Sequence, residues 1–102
     1  MRKFETLLLL SPELSSEART GLIDGFKAII EREGGKVLLE DSWGMRDLAY
    51  PVKKQMRGWY VRLEYGAPGT LVAELERNIR IAEGVFKFVT VKLADTVEEV
   101  AA

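Results

Sequence analysis

The chain of 102 residues is 47% hydrophobic and 30% charged, a size and composition typical of one globular domain. Its 15 basic and 16 acidic residues leave a formal net charge of −1, which excludes a polycationic nucleic-acid-coating tail and an acidic disordered protein. The absence of cysteine and histidine excludes disulfides, thiolate zinc sites, cysteine nucleophiles and the commonest general base. The longest apolar run, Leu7 to Leu10, is far shorter than the ~20 residues that span a bilayer. No export signal is visible, so we expect a cytoplasmic protein without membrane association.

The first half of the chain combines a strand, a helix and a long extended segment. Residues 2–10 are predicted to form a strand that ends at Ser11 and Pro12. A helix is expected to begin at Ser15 or Ser16, because serine is a preferred N-cap residue. Its apolar positions follow the helical three-and-four spacing and are Ala18, Leu22, Phe26, Ile29 and Ile30. Two glycines at 34–35 end the helix, and residues 36–52 read as extended.

The second half has the same order of strand, helix and strand. Residues 53–58 form a polar connection, after which residues 59–65 alternate between two faces. One face carries Trp59, Val61, Leu63 and Tyr65, and the other carries Tyr60, Arg62 and Glu64. Thr70 is expected to cap a second helix with the apolar stripe Leu71, Leu75, Ile79 and Ala82. Residues 85–93 form the last strand, with Phe86 and Phe88 on one face.

The order strand–helix–strand–strand–helix–strand predicts an α+β, ferredoxin-like split βαβ sandwich over residues 1–94. In this fold, a four-stranded antiparallel sheet carries both helices on one face. Residues 95–102, which include Asp95, Glu98 and Glu99, are expected to form an acidic, mobile tail.

The other face of such a sheet is open, yet the strands are apolar on both faces. In the first strand, Leu8 and Leu10 oppose Leu7 and Leu9, although only one set can face the helices. Either these are ordinary scattered surface residues, or a protein partner or stacked nucleic acid covers the open face.

Catalysis has no support in the residues. Adjacent acids such as Glu40 and Asp41 point to opposite faces of a strand and cannot act as a positioned pair. There is no glycine-rich phosphate loop and no metal-ligand spacing. We therefore expect no enzyme activity, no small-molecule substrate, no cofactor and no metal.

The remaining chemical signal is basic and aromatic, around the middle of the chain. Cationic side chains neutralise phosphates, and aromatic rings stack on unpaired bases. The cations Arg46, Lys53, Lys54 and Arg57 lie among the aromatic residues Trp43, Tyr50, Trp59 and Tyr60. By itself, this composition is only a weak indication of RNA binding, since it is also expected where Trp59 and Tyr65 are core residues and the lysines solubilise a hairpin tip.

One long segment resembles a known family. Residues 44–54, GMRDLAYPVKK, followed by Gly58-Trp59-Tyr60, are similar to the signature of bacterial small-subunit ribosomal protein six. The opening residues 1–5 and the segments 78–81 and 84–87 extend the resemblance over residues 1 to about 93.

The resemblance implies a ferredoxin-like fold and a structural, non-enzymatic role in the cytoplasm, within the small ribosomal subunit. It implies binding to the central domain of small-subunit ribosomal RNA together with ribosomal protein eighteen of the same subunit, as a heterodimer. The candidate RNA contacts are Arg2, Lys3, Arg46, Lys53, Lys54, Lys87 and Lys92. The candidate protein contacts are Leu7, Leu9, Tyr60, Val89 and Val91 on the open face, and Leu48 and Tyr50 on the second strand.

Two alternatives share the predicted topology. A free RNA-binding protein of the RNA-recognition-motif type has a basic-glycine-aromatic motif that Arg57-Gly58-Trp59-Tyr60 resembles faintly. An acylphosphatase-like enzyme would need a glycine-rich anion loop followed by arginine, which the sequence lacks.

Overall fold

The computed structural model describes residues 2–94, in which six elements follow the predicted order. They are β1 (Arg2–Leu10), α1 (Ser16–Arg32), β2 (Lys36–Val52), β3 (Gln55–Ala67), α2 (Gly69–Ile81) and β4 (Val85–Ala94). The strands lie in the order β2-β3-β1-β4, and each neighbouring pair is antiparallel. This arrangement confirms the ferredoxin-like fold. The acidic tail predicted at residues 95–102 lies outside the described residues.

Helix α1 begins and ends where its local chemistry requires. Ser15 is the N-cap, and its hydroxyl accepts a hydrogen bond from the backbone N–H of Ala18 at 3.1 Å. At the other end, Gly34 adopts a positive φ of 88°, and the N–H of Gly35 donates to the carbonyl of Ile30 at 2.8 Å. The left-handed conformation of Gly34 turns the chain so that the following N–H groups can bond carbonyls that the last helical turn leaves without a partner.

A single apolar core lies between the sheet and both helices. It contains Ile23, Phe26 and Ile30 of α1 and Leu71, Leu75 and Ile79 of α2. The sheet contributes Phe4, Leu8, Leu10, Val61, Leu63, Tyr65 and Ala67. Both helices therefore cover the same face of the sheet, and no helix within residues 2–94 packs against its other face.

The buried stripe of α1 is rotated from the predicted one by about a sixth of a turn. Ile23 is buried at its centre, whereas Ala18 is exposed and Leu22 and Ile29 are only partly buried. The prediction that Thr70 caps α2 is also wrong, because the helix begins at Gly69 and Thr70 lies inside its first turn. Its N-cap is Pro68, which has the extended backbone of a cap but no side-chain acceptor.

Two strand details also differ from the prediction. The register between β1 and β4 shifts after Leu9, so that Val85, rather than Phe86, pairs with Leu10 and packs beside the core with Phe88. A bulge of this kind changes which side chains share a face. The polar connection is shorter than residues 53–58, because β3 begins at Gln55. Within residues 2–94, no helix is long and apolar enough to cross a membrane.

Candidate functional site

The open face, defined here as the sheet face opposite the helices, follows from the strand register. Leu7 pairs with Arg62 on β3 and with Val89 on β4. Leu9 pairs with Tyr60 and Lys87 in the same way. Directly opposed residues project to the same side of a sheet. Their neighbours Leu8 and Leu10 belong to the core, so this second set lies on the open face.

An ion-pair cluster occupies the middle of the open face. The Arg62 guanidinium lies 3.2 Å from the Glu5 carboxylate, 3.4 Å from Glu64 and 3.9 Å from Asp41. Lys3 lies 3.8 Å from Glu64. Although desolvation opposes the charged form of Arg62, the hydrogen bond to Glu5 and the charges of all three carboxylates raise its pKa. Three carboxylates thus surround two cations, so this part of the face repels phosphate and suits a cationic protein segment.

A second group of cations lies at the end of the β2–β3 hairpin. Val52 pairs with Gln55, so Lys53 and Lys54 are the two central residues of the turn. Their φ angles are 52° and 64°, the left-handed conformation that two-residue hairpin turns of this kind require. Arg46 pairs with Gly58 close to the turn. Within the part of the chain that the structure describes, these three cations have no ion pair with a carboxylate.

The seven predicted RNA contacts fall into two sets at opposite ends of the sheet. Arg46, Lys53, Lys54 and Lys87 lie towards the hairpin end, since Lys87 pairs with Leu9. Arg2, Lys3 and Lys92 lie at the start of β1, where Lys92 pairs with Phe4. The two ends are roughly 20 Å apart, because six residues separate positions 3 and 9 of β1 at about 3.3 Å each. The structure therefore does not bring all seven cations together.

The predicted protein contacts on the open face differ in their accessibility. Val89 and Val91 are 58% and 48% exposed, whereas Leu7 and Tyr60 are half-buried. Leu9 is only 4% exposed, although it lies outside the core between sheet and helices. The sequence predicted that the Leu9 side chain is accessible on the open face, and this prediction is wrong. On β2, Tyr50 is 60% exposed and Leu48 is half-buried.

The orientation of Trp59 weighs against recognition of the RNA-recognition-motif type. Its indole N–H donates to the Ser42 hydroxyl at 2.8 Å, and the Arg19 guanidinium lies 3.7 Å from the ring centroid. Arg19 belongs to α1, so Trp59 faces the helices and cannot stack on a base at the open face. Of the two aromatic residues in Arg57-Gly58-Trp59-Tyr60, only Tyr60 is on that face.

Sequence reasoning missed three features of this region. Trp43 lies against Tyr60, with ring centroids 6.1 Å apart, and Arg57 pairs with Asp47 at 3.2 Å. The alternation of β3 predicted that Arg62 and Glu64 share a face, but it did not predict their ion pairs with Glu5 and Asp41 on the neighbouring strands. Among residues 2–94, no group of acidic, histidine or cysteine side chains has the geometry of a metal site.

Comparisons with known proteins identify the family. The family model described as ribosomal protein S6 matches residues 3–92. A small ribosomal subunit protein bS6 of Nitratidesulfovibrio vulgaris is 70% identical over 101 residues, which cover 99% of this chain and 100% of that protein. The protein of the same name from Desulfovibrio desulfuricans is 71% identical over 97 residues, 95% of each chain.

A solved structure agrees with this match. The crystal structure of 30S ribosomal protein S6 from Thermotoga maritima superimposes with a TM-score of 0.85 and is 29% identical. The match covers 89% of this chain and 86% of that one. Together, the open-faced ferredoxin-like fold, the family model and the full-length relatives show that the chain belongs to the ribosomal protein S6 family, whose members are structural components of the small ribosomal subunit rather than enzymes.

Proposed function

We propose that this protein binds the central domain of small-subunit ribosomal RNA together with ribosomal protein eighteen of the same subunit. Its place in the S6 family puts it in the ribosome of the cytoplasm. The specific RNA domain and the heterodimer are the parts that we propose. The observation that carries the proposal is the separation of two surfaces, a cationic hairpin end and an open face that is apolar and acidic.

The hairpin end is suited to the RNA backbone. Arg46, Lys53 and Lys54 are exposed, and no carboxylate among residues 2–94 neutralises them. Long cationic side chains at a projecting turn can reach phosphates without moving the rest of the sheet. Such contacts release counterions, so we expect the binding that they provide to weaken steeply with salt.

The rest of the open face is suited to protein. Val89 and Val91 present exposed apolar surface on β4, and β4 pairs with the strand that carries Glu5 of the ion-pair cluster. An apolar strip next to an excess of carboxylate matches a partner with apolar and basic side chains. The same carboxylates disfavour RNA there. Because few cations are available for phosphate contacts, a protein partner supplements the affinity of the complex.

The test compares RNA binding with and without the partner. The full chain is titrated into a central-domain fragment of small-subunit ribosomal RNA by filter binding at physiological salt, first alone and then with an equimolar amount of ribosomal protein eighteen. We expect weak binding alone and at least tenfold tighter binding in the mixture, together with a heterodimer in the absence of RNA. Tight binding without the partner would favour the free RNA-binding alternative, and no binding in either mixture would refute the proposal.

A further inference from the structure

The end of the β2–β3 hairpin bends across the open face. Asp47 pairs with Arg57 and Val52 pairs with Gln55, so four residues of β2, 48–51, stand opposite the single residue Met56 of β3. An excess of this kind bends a strand away from the regular ladder. Pro51 lies within it, where a residue without a backbone N–H removes no ladder hydrogen bond.

This bend brings Tyr50 to the far edge of the sheet. The Lys87 ammonium on β4 donates a hydrogen bond to the Tyr50 hydroxyl at 2.9 Å and lies 4.7 Å from the centroid of the ring. The strands β2 and β4 are the two opposite edges. The contact therefore passes over β3 and β1 on the open face, at the level of Leu9, which pairs with Lys87.

The burial of Leu9 is the second observation. Leu7 and Val89, the next pair on the same face, are half-buried and exposed, yet Leu9 is 4% exposed. Its side chain fills the space that a Cβ on Gly58 would occupy. Gly58 thus leaves room for the Leu9 side chain, and the Tyr50–Lys87 contact lies at the same level of the open face.

Among residues 2–94, few side-chain polar contacts hold residues 48–57 against the rest of the protein. Arg57 pairs with Asp47 at the base of the segment. Further out, the contacts are Tyr50–Lys87 and a hydrogen bond of 3.1 Å from the Gln55 side chain to Glu13, which precedes α1. Both are exposed, so water competes with each of them. Segments held in this way open locally at low free energy.

We propose that residues 48–57 form a flap, latched by Tyr50 and Lys87, that covers Leu9 and opens to expose it. Opening frees the Lys87 ammonium and uncovers an apolar position between Leu7 and Tyr60 at the same time. The consequence for assembly rests on the proposed function: a protein partner that reaches Leu9 must displace the flap, and RNA gains access to Lys87 in the same step.

The test uses the absence of cysteine from the chain, which makes any introduced thiol unique. Leu9→Cys is labelled with a water-soluble thiol reagent, alone and combined with Tyr50→Phe or Tyr50→Ala. The phenylalanine retains the ring contact and loses the hydrogen bond, whereas alanine loses both. We expect labelling to accelerate about threefold with Tyr50→Phe and about tenfold with Tyr50→Ala. Neither RNA nor partner is needed, so the result is independent of the proposed function.

Two controls distinguish local opening of the flap from a loss of stability of the whole domain. Met56→Ala shortens a side chain of the same flap that is 52% exposed and keeps both latch residues, so it should leave the labelling of Leu9→Cys unchanged. Leu7→Cys should label at one rate in all backgrounds. An unchanged rate at Leu9→Cys with Tyr50→Ala, or equal acceleration at both thiols, would overturn the proposal.

Hydrogen exchange provides a second measurement if Leu9→Cys does not fold. In the chain without cysteine, Tyr50→Ala should accelerate amide exchange at residues 48–57 about tenfold and leave the β1–β3 ladder unchanged. Equal exchange of residues 48–57 in Tyr50→Ala and the unaltered chain would contradict the latch.

Discussion

The hydroxyl groups of Thr6 and Tyr65 are 2.8 Å apart inside the apolar core, where both side chains are fully buried. Thr6 also lies 3.0 Å from the hydroxyl of Thr90 on β4. Hydrogen bonds thus connect three neighbouring strands from within the core. Among the described residues, no buried side-chain polar atom lacks a hydrogen-bond partner, so the cost of burying these hydroxyls is met by their mutual contacts.

This arrangement predicts a loss of stability at alkaline pH. Burial raises the pKa of Tyr65 above its usual value of 10.0, despite hydrogen bonds from Thr6 and Thr90 that oppose the shift. The unfolded chain therefore ionises first, and the free energy of unfolding falls as the pH rises above about 10. Tyr65→Phe should cost about 1 kcal/mol at neutral pH and make this alkaline decline shallower. Urea unfolding between about pH 7 and 11 measures both, with Tyr60→Phe as the control. Equal alkaline declines in Tyr65→Phe and the unaltered chain would contradict the assignment.

Leu9 and Val89 should respond differently to the same substitution. Both lie on the open face, but Leu9 is 4% and Val89 is 58% exposed. Leu9→Asp buries a carboxylate without a partner and should lower the free energy of unfolding by about 3 kcal/mol or more. Val89→Asp leaves its carboxylate in water and should cost less than about 1 kcal/mol. Thermal and urea unfolding provide the comparison. Similar costs at both positions would mean that Leu9 is accessible in solution.

Val89→Asp also tests the proposed protein surface. Because this variant should fold normally, a change in its affinity for ribosomal protein eighteen reports on the surface itself. We expect the heterodimer to weaken by more than about 1 kcal/mol, since the complex would bury the new carboxylate. Calorimetric titration measures the affinity, and Ala73→Asp, on the exposed face of α2, is the matched control. Equal affinities for both variants would place the partner elsewhere.

The lysines of the hairpin turn can be removed without disturbing the turn. Lys53→Asn with Lys54→Gly supplies residues that adopt a positive φ readily, so the free energy of unfolding should rise by about 1 kcal/mol. The same change removes two cations and should reduce the salt dependence of RNA binding by roughly 1–2 in slope.

The matched control for this variant removes two cations from the helical layer. Arg32 and Arg77 are exposed on α1 and α2, and their joint replacement by alanine should leave the slope unchanged. Filter binding over a series of salt concentrations measures all three proteins. If the turn variant keeps the original slope, Lys53 and Lys54 serve only solubility.

Two glycines should respond to alanine with opposite signs. A Cβ on Gly58 would overlap the Leu9 side chain, whereas a Cβ on Gly25 would meet nothing within 4 Å. Gly25 is exposed within α1, where alanine is the better helix former, so Gly25→Ala should stabilise by about 0.5–1 kcal/mol. Gly58→Ala should destabilise by about 1–3 kcal/mol through overpacking. Stabilisation by Gly58→Ala in urea unfolding would show that Leu9 is not seated there.

Local patterns of apolar and polar residues were sufficient to predict the fold and part of the open face. The alternation of residues 59–65 assigned Tyr60, Arg62 and Glu64 to one face, because successive side chains of a strand point to opposite sides. The same alternation gave a wrong prediction for β4. There the register with β1 shifts between Leu9 and Leu10, so Val85 packs beside the core in place of Phe86. A bulge depends on the partner strand, so a single strand carries no periodic signal for it.

Residue types and their order were enough to predict the order of elements, the two faces of β3, the lack of catalytic chemistry and the family. The elements and the faces depend on spacings within about ten residues, which local sterics and burial govern directly. The family was carried by short segments, of which residues 44–54 are the longest. Three relationships became visible only in the folded chain: which cations lie together, the burial of Leu9 on the open face, and the contact of Tyr50 with Lys87 from the opposite edge. Those relationships join residues distant in the chain, and the distances between them depend on strand register and packing of the whole sheet.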